Sequence, residues 1–84
     1  METLFLDASQ YTTAAELHSA LQRLLQLPDY YGGNADALYD CLSERVQPVN
    51  LYLYSAGSGE VADAVTKVCR VMEYLGGTVT RPQA

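Results

Sequence analysis

One histidine, two cysteines and five basic residues are all that this 84-residue chain offers toward the commonest catalytic, metal-binding and nucleic-acid chemistries, against ten acidic residues. The shortage of lysine and arginine, with a net charge of −5 and a pI near 4.5, argues against a phosphate backbone as direct partner. Nucleic-acid binding draws most of its affinity from cationic side chains. No apolar run approaches the ~20 residues of a membrane-spanning helix, and nothing at the N-terminus resembles a signal peptide. Count alone would allow Cys41 and Cys69 a disulfide. Both fall on the apolar stripes of predicted helices, so reduced, buried thiols and a cytoplasmic location are expected. Around Gly32-Gly33 neither the GxGxxG nor the P-loop spacing is present, and the neighbourhood is acidic and lacks lysine, so anion binding there is not expected.

A chain of this length makes one small domain, residues 1–84, burying only about 60 to 65% of the surface it exposes when unfolded. That leaves little room for a deep active site. Its 49% hydrophobic and 18% charged residues are ordinary for a globular protein and exclude a disordered or fibrous one.

The hydrophobic pattern alternates between two periods. Thr3-Leu4-Phe5-Leu6, ended by Asp7-Ala8-Ser9, has the form of a buried strand entering a loop. Thr13-Ala14-Ala15-Glu16 matches a capping box, and Leu17, Leu21, Leu24 and Leu25 follow at helical spacing. A helix is therefore expected from about Ala14 to Leu25, stopped by Pro28. After Pro48, the β-branched and aromatic run from Val49 to Tyr54 reads as a strand, with Val49, Leu51 and Leu53 on one face. Residues 55–59 form a loop, Val61, Val65, Val68, Cys69, Met72 and Leu75 trace a helix ending at Gly76-Gly77, and Thr78-Val79-Thr80 is a short strand. The order β, α, α, β, α, β predicts an α/β fold with a three-stranded parallel sheet packed against helices.

Residues 29 to 44 carry four of the ten acids and three tyrosines but no basic residue, with Arg23 and Arg45 only flanking them. Asn34 is a plausible N-cap. A helix from Ala35 puts Asp36, Tyr39 and Asp40 on one face and turns Leu38, Cys41 and Leu42 to the core. An acid in the first turn interacts favourably with the helix dipole whatever its function, so Asp36 admits a structural and a functional reading equally. Asp40 lies past that turn, with like charges four residues away on either side costing a few tenths of a kcal/mol. Tolerated repulsion hints at an absent cationic partner, with a solvated acidic face as the alternative. Tyr30, Tyr31 and Tyr39 fit either a cover for the core or an interface of aromatic anchors beside charges. The patch as a whole would steer a basic surface toward it.

Enzyme readings fare poorly. His18, at the edge of the leucine stripe, is read as structural or solvent-exposed rather than as a general base. Asp36 and Asp40, four apart, could touch a metal, yet two carboxylates without further ligands specify little, so no cofactor or metal is expected.

The run Leu27-Pro28-Asp29-Tyr30-Tyr31-Gly32-Gly33-Asn34-Ala35-Asp36-Ala37-Leu38-Tyr39-Asp40-Cys41-Leu42 closely resembles the signature segment of the barstar family, intracellular inhibitors of small secreted microbial ribonucleases. The order of strands and helices follows that family over nearly the whole chain. The resemblance implies a barstar-like fold and a non-enzymatic, monomeric bacterial protein. Its second helix and preceding loop would plug the active site of a small basic guanyl-type ribonuclease in a one-to-one complex, an immunity function without direct contact to nucleic acid or membrane. Carried over as ribonuclease-binding are Tyr30, Gly32, Gly33, Asn34, Asp36, Tyr39, Asp40 and Glu44. Asp40 would occupy the cationic site as a phosphate mimic, because a carboxylate pairs with the same Arg, Lys and His groups. Asp36 would pair with neighbouring basic groups, Tyr30 would cover catalytic side chains, Gly32 and Asn34 would make close backbone and polar contacts, and Tyr39 would pack at the centre. The competing reading is a barstar-like binding or immunity module for a different basic protein or toxin, and a third is a small enzyme or metal-binding domain.

Four positions depart from the family. Gly33 stands where an acid is usual, and Tyr39 and Arg45 stand where tryptophans are. Counting back from Gly76, the final-helix carboxylate that touches the enzyme falls at Val71. Glu73 lies roughly 200° round the helix from it and is no direct substitute, whereas Tyr74 is nearer that face. The loop after the second strand is also too short for an additional short helix. These departures bear on the partner's identity more than on the fold.

Overall fold

Alternating leucines and valines build the sheet. In the computed structural model, which describes residues 2–81, Leu4 and Leu6 of β1 (Glu2–Asp7) are buried on the same face as Val49, Leu51 and Leu53 of β2 (Val49–Ser55). The strands pair in parallel from Glu2 opposite Val49 to Leu6 opposite Leu53. A bulge then leaves Tyr54 as the extra residue before Asp7 meets Ser55. The short β3 (Val79–Thr80) pairs with the other side of β2, giving the order β1-β2-β3. In such a progressive order, right-handed crossovers place every connecting helix on one face, and burial follows that rule: the opposite face leaves Phe5 and Tyr54 open to solvent. The expected three-stranded parallel α/β architecture is present.

Local chemistry sets the helix ends. Asp7 accepts from the amide and hydroxyl of Ser9, at 3.1 and 2.5 Å, and turns the chain through one 3-10 turn (Ala8–Gln10) where a plain loop was expected. The capping box of α1 (Ala14–Leu24) is complete: Thr13 takes the Glu16 amide, and the Glu16 carboxylate takes the Thr13 amide together with the amide and hydroxyl of Thr12. The hydroxyl and amide of Thr12 hold the Glu16 carboxyl below its ordinary range. The end of α1 corrects the sequence reading. Pro28 does not stop this helix; Gln26 does, in the left-handed region at φ 54°, with Leu27 donating to Gln22 and Gln26 to Arg23.

The acidic helix α2 spans Ala35–Ser43 and the long helix α3 spans Gly59–Tyr74; α3 packs against α1, α2 and β2. It ends as expected at Gly76, where Gly77 donates to Met72 at 2.8 Å. Cys69 is buried and its thiol is pushed up by burial, but Cys41 is only half-buried at the core margin. The two are not bonded to each other, and the expected full burial of Cys41 does not hold.

Candidate functional site

The chain between α1 and α2 has no repetitive structure of its own and is held by three anchors. Leu27 is buried in the core, Gln22 Nε2 donates to the Pro28 carbonyl at 3.0 Å, and the Tyr31 hydroxyl lies 2.6 Å from His18 Nδ1. Tyr31 also donates its amide to Pro28 at 3.0 Å, closing a tight turn. Burial, with Cys41 adding a smaller electrostatic contribution, pushes the Tyr31 phenol up to about 12, so it remains a neutral hydroxyl. Burial alone pushes His18 down, which keeps the ring neutral.

Asn34 ends the loop and begins the helix. Its side chain accepts from the Ala37 amide at 2.8 Å, as the sequence predicts of an N-cap. Gly33 before it takes a φ of +70°, a left-handed conformation that glycine adopts without steric cost. Leu38 and Leu42 of α2 are buried, which fixes the rotation of the helix and leaves Asp36, Tyr39 and Asp40 exposed on the opposite side. Asp36 is in the first turn.

The eight residues singled out from sequence are all exposed. Tyr30 is 79% exposed; Gly32, Gly33, Asn34, Asp36, Tyr39, Asp40 and Glu44 are exposed as well. Glu44, the C-cap residue of α2, ends the row that Asp36 and Asp40 begin. Tyr31 belongs to the support rather than to the surface. Val71 is 8% exposed and packs in the core, so it presents nothing outward, while Tyr74 near it is open.

Sequence reasoning missed the supports. Gln22, His18 and Tyr31 brace the loop, and Arg45 ion-pairs with Glu2 at 2.5 Å and donates to the Leu25 carbonyl. The His18–Tyr31 and Arg45 pairings join residues distant in sequence, and no local pattern announces any of the contacts. An open groove of 320 Å³ runs beside the loop, where Asn34 and Ala35 face Asp63 and Lys67 of α3. Among the described residues no three metal-ligating side chains cluster, and no helix is long and apolar enough to cross a membrane.

Three parallel strands with helices on one face, and one of those helices turning Asp36, Tyr39 and Asp40 to solvent, define a small two-layer α/β protein whose most distinctive surface is a helix rather than a cleft. The sequence matches the family described as Barstar (barnase inhibitor) over residues 1–77, and the chain belongs to that family. It is also similar to "Putative ribonuclease inhibitor YrdF" of Bacillus subtilis (strain 168), with 41% identity over 54 residues. That match covers 63% of this chain and 59% of the length of the relative.

Proposed function

We propose that this chain is a proteinaceous inhibitor that occludes the active site of a small basic ribonuclease of the guanyl type, without catalysing a reaction itself. Residues 1–84 would make one such domain, monomeric when free, binding one-to-one in the cytoplasm of a bacterium. The observation that carries the reading is the placement of Asp36, Tyr39 and Asp40 on the solvent face of a helix whose other face is fixed by Leu38 and Leu42. A surface of this kind suits an enzyme that gathers Arg, Lys and His around a phosphate. Asp40 takes the place of the phosphate through charge-assisted bonds, Asp36 pairs with a neighbouring cation, and Tyr30 and Tyr39 supply rigid aromatic area. Family membership and the printed name of the relative support ribonuclease inhibition in general.

Titration of small basic microbial ribonucleases with the protein should abolish their activity at one equivalent. Asp40→Ala and Asp36→Ala should each weaken inhibition, by about 1.5 to 7 kcal/mol if the coupling energies measured for close charge pairs in the barnase–barstar pair itself carry over. Normal inhibition by the double alanine variant would sink the assignment. Val71, buried where the family presents a carboxylate, favours a second reading in which the basic target is a different protein or toxin. Capture from the native cell extract with the wild-type protein, compared with an Asp40→Arg bait, names that partner.

A further inference from the structure

Asn34 carries more than an N-cap. Its side chain accepts from Ala37, while its carbonyl accepts the Leu38 amide at 2.9 Å and the Tyr31 hydroxyl at 3.4 Å. That hydroxyl is also 2.6 Å from Nδ1 of His18, which is 6% exposed in the wall of α1. A phenol has a single proton. When Tyr31 gives it to the Asn34 carbonyl, its oxygen can only accept from His18, and Nδ1 must then carry the hydrogen; the hydrogen bond selects the tautomer.

We propose that His18 and Tyr31 are positioning residues for the binding helix: Nδ1–H of His18 donates to the Tyr31 hydroxyl, which donates to the Asn34 carbonyl, and this relay fixes the direction in which α2 leaves the loop. The need for it follows from the size of α2. Nine residues are too few for a helix to persist by its own propensity, and its attachment rests on Leu38, Leu42 and its first turn. Asp40 lies six residues beyond Asn34, about 9 Å along the helix axis, so a 10° error in direction displaces it by about 1.5 Å. A charge-assisted hydrogen bond, whose length is set within a few tenths of an ångström, does not survive such a displacement. Gln22 fixes the start of the loop through Pro28, and the relay fixes its end.

The inference rests on the inhibitor reading only in its last arm. His18 is the sole histidine, so the imidazole nitrogen resonances of the ¹⁵N-labelled full chain report one ring. The wild-type protein should show the Nδ1–H tautomer, and Tyr31→Phe should lose that preference. Amide exchange at Ala37 and Leu38 should become about tenfold faster in Tyr31→Phe, while exchange at Val65 and Val68 of α3 stays as in the wild type. His18→Asn, whose amide N–H can replace Nδ1–H, should retain protection that His18→Leu loses, which guards against a variant that merely misfolds. Ribonuclease inhibition should weaken in step with the loss of protection. An Nε2–H tautomer in the wild type, or equal exchange in all variants, overturns the relay. A wild-type protein that inhibits no ribonuclease overturns the inhibitor reading alone, since the free-protein arms still decide the relay.

Discussion

Arg45 Nη1 lies 2.5 Å from Glu2 Oε1, and its second terminal nitrogen donates to the carbonyl of Leu25, so the cation that follows the acidic helix is turned toward the start of β1 and the end of α1. Its charge is matched by Glu2 and does not offset Asp40 or Glu44. The pair is partly exposed, 28% and 45%, so the ion pair contributes little and the bond to Leu25 contributes most of the effect. Arg45→Met should therefore lower stability by about 1 kcal/mol in urea unfolding. A variant as stable as the parent would contradict the structural role.

Asp40 makes the opposite case, a residue whose removal should help folding. Asp36, Asp40 and Glu44 follow at intervals of four along one exposed face, and no salt bridge is formed by them among the described residues. Asp40→Ala relieves two repulsions and substitutes a better helix former, about 0.5 to 1 kcal/mol together. Thermal unfolding should rise by a few degrees while ribonuclease inhibition falls. A lower melting temperature would show that Asp40 serves the fold, and its role as a surface held for a partner would lose its support.

Acidification should expose the state of His18. Burial lowers its proton affinity in the fold, whereas the unfolded chain keeps the ordinary value near 6.5. The unfolded state then binds more protons, so the stability linked to a neutral ring is fully present above pH 6.5 and is lost as pH falls through the lower folded value. Glu60, Asp63 and Lys67 of α3 border the same groove, Tyr31 meets the ring from the loop, and Cys41 of α2 acts electrostatically on Tyr31. Glu60 is engaged with the Ala14 amide at 3.0 Å. Glu16, held below 4.5 by Thr12, contributes a separate loss at more acid pH. Stability measured against pH in wild type and His18→Gln separates these windows: the variant should lose the slope just below 6.5 and keep the acid one.

What could be read from the sequence was whatever neighbours in the chain decide. Thr13 with Glu16, Asn34 before Ala35 and Gly76 at the end of α3 are contacts within a turn, and the alternation of Leu4, Leu6, Val49, Leu51 and Leu53 needs only the two-residue strand period. Hence the outward face of α2, with Asp36, Tyr39 and Asp40, was legible in spacing, whereas Tyr30, Gly32, Gly33 and Asn34 entered the contact set only through the family resemblance. Gln26 was not, because a left-handed residue without glycine is an exception that the following buried Leu27 enforces. Nor were the His18–Tyr31 and Arg45–Glu2 pairs, which join residues brought close only by the packing of α1, the loop and β1.

The turn from α3 into β3 offers a sharper test, because two adjacent glycines are required there for different reasons. Gly76 has φ +92° and open space around the position of a Cβ, so Gly76→Ala meets only the left-handed backbone penalty, about 1 to 2 kcal/mol. Gly77 has no such conformation, yet a Cβ on it would overlap the carbonyl oxygen of Val49 and come within 3.1 Å of the Met72 carbonyl oxygen. These are backbone atoms: Val49 begins the central strand, and Met72 already accepts the Gly77 amide at 2.8 Å. Neither can rotate away as a side-chain tip would, so α3 must move off β2, loosening the core between them. Gly77→Ala should thus cost more, about 2 to 4 kcal/mol in chemical denaturation. Equal losses, or a larger loss for Gly76→Ala, would show that the close approach of this turn to β2 does not hold the sheet against the helices.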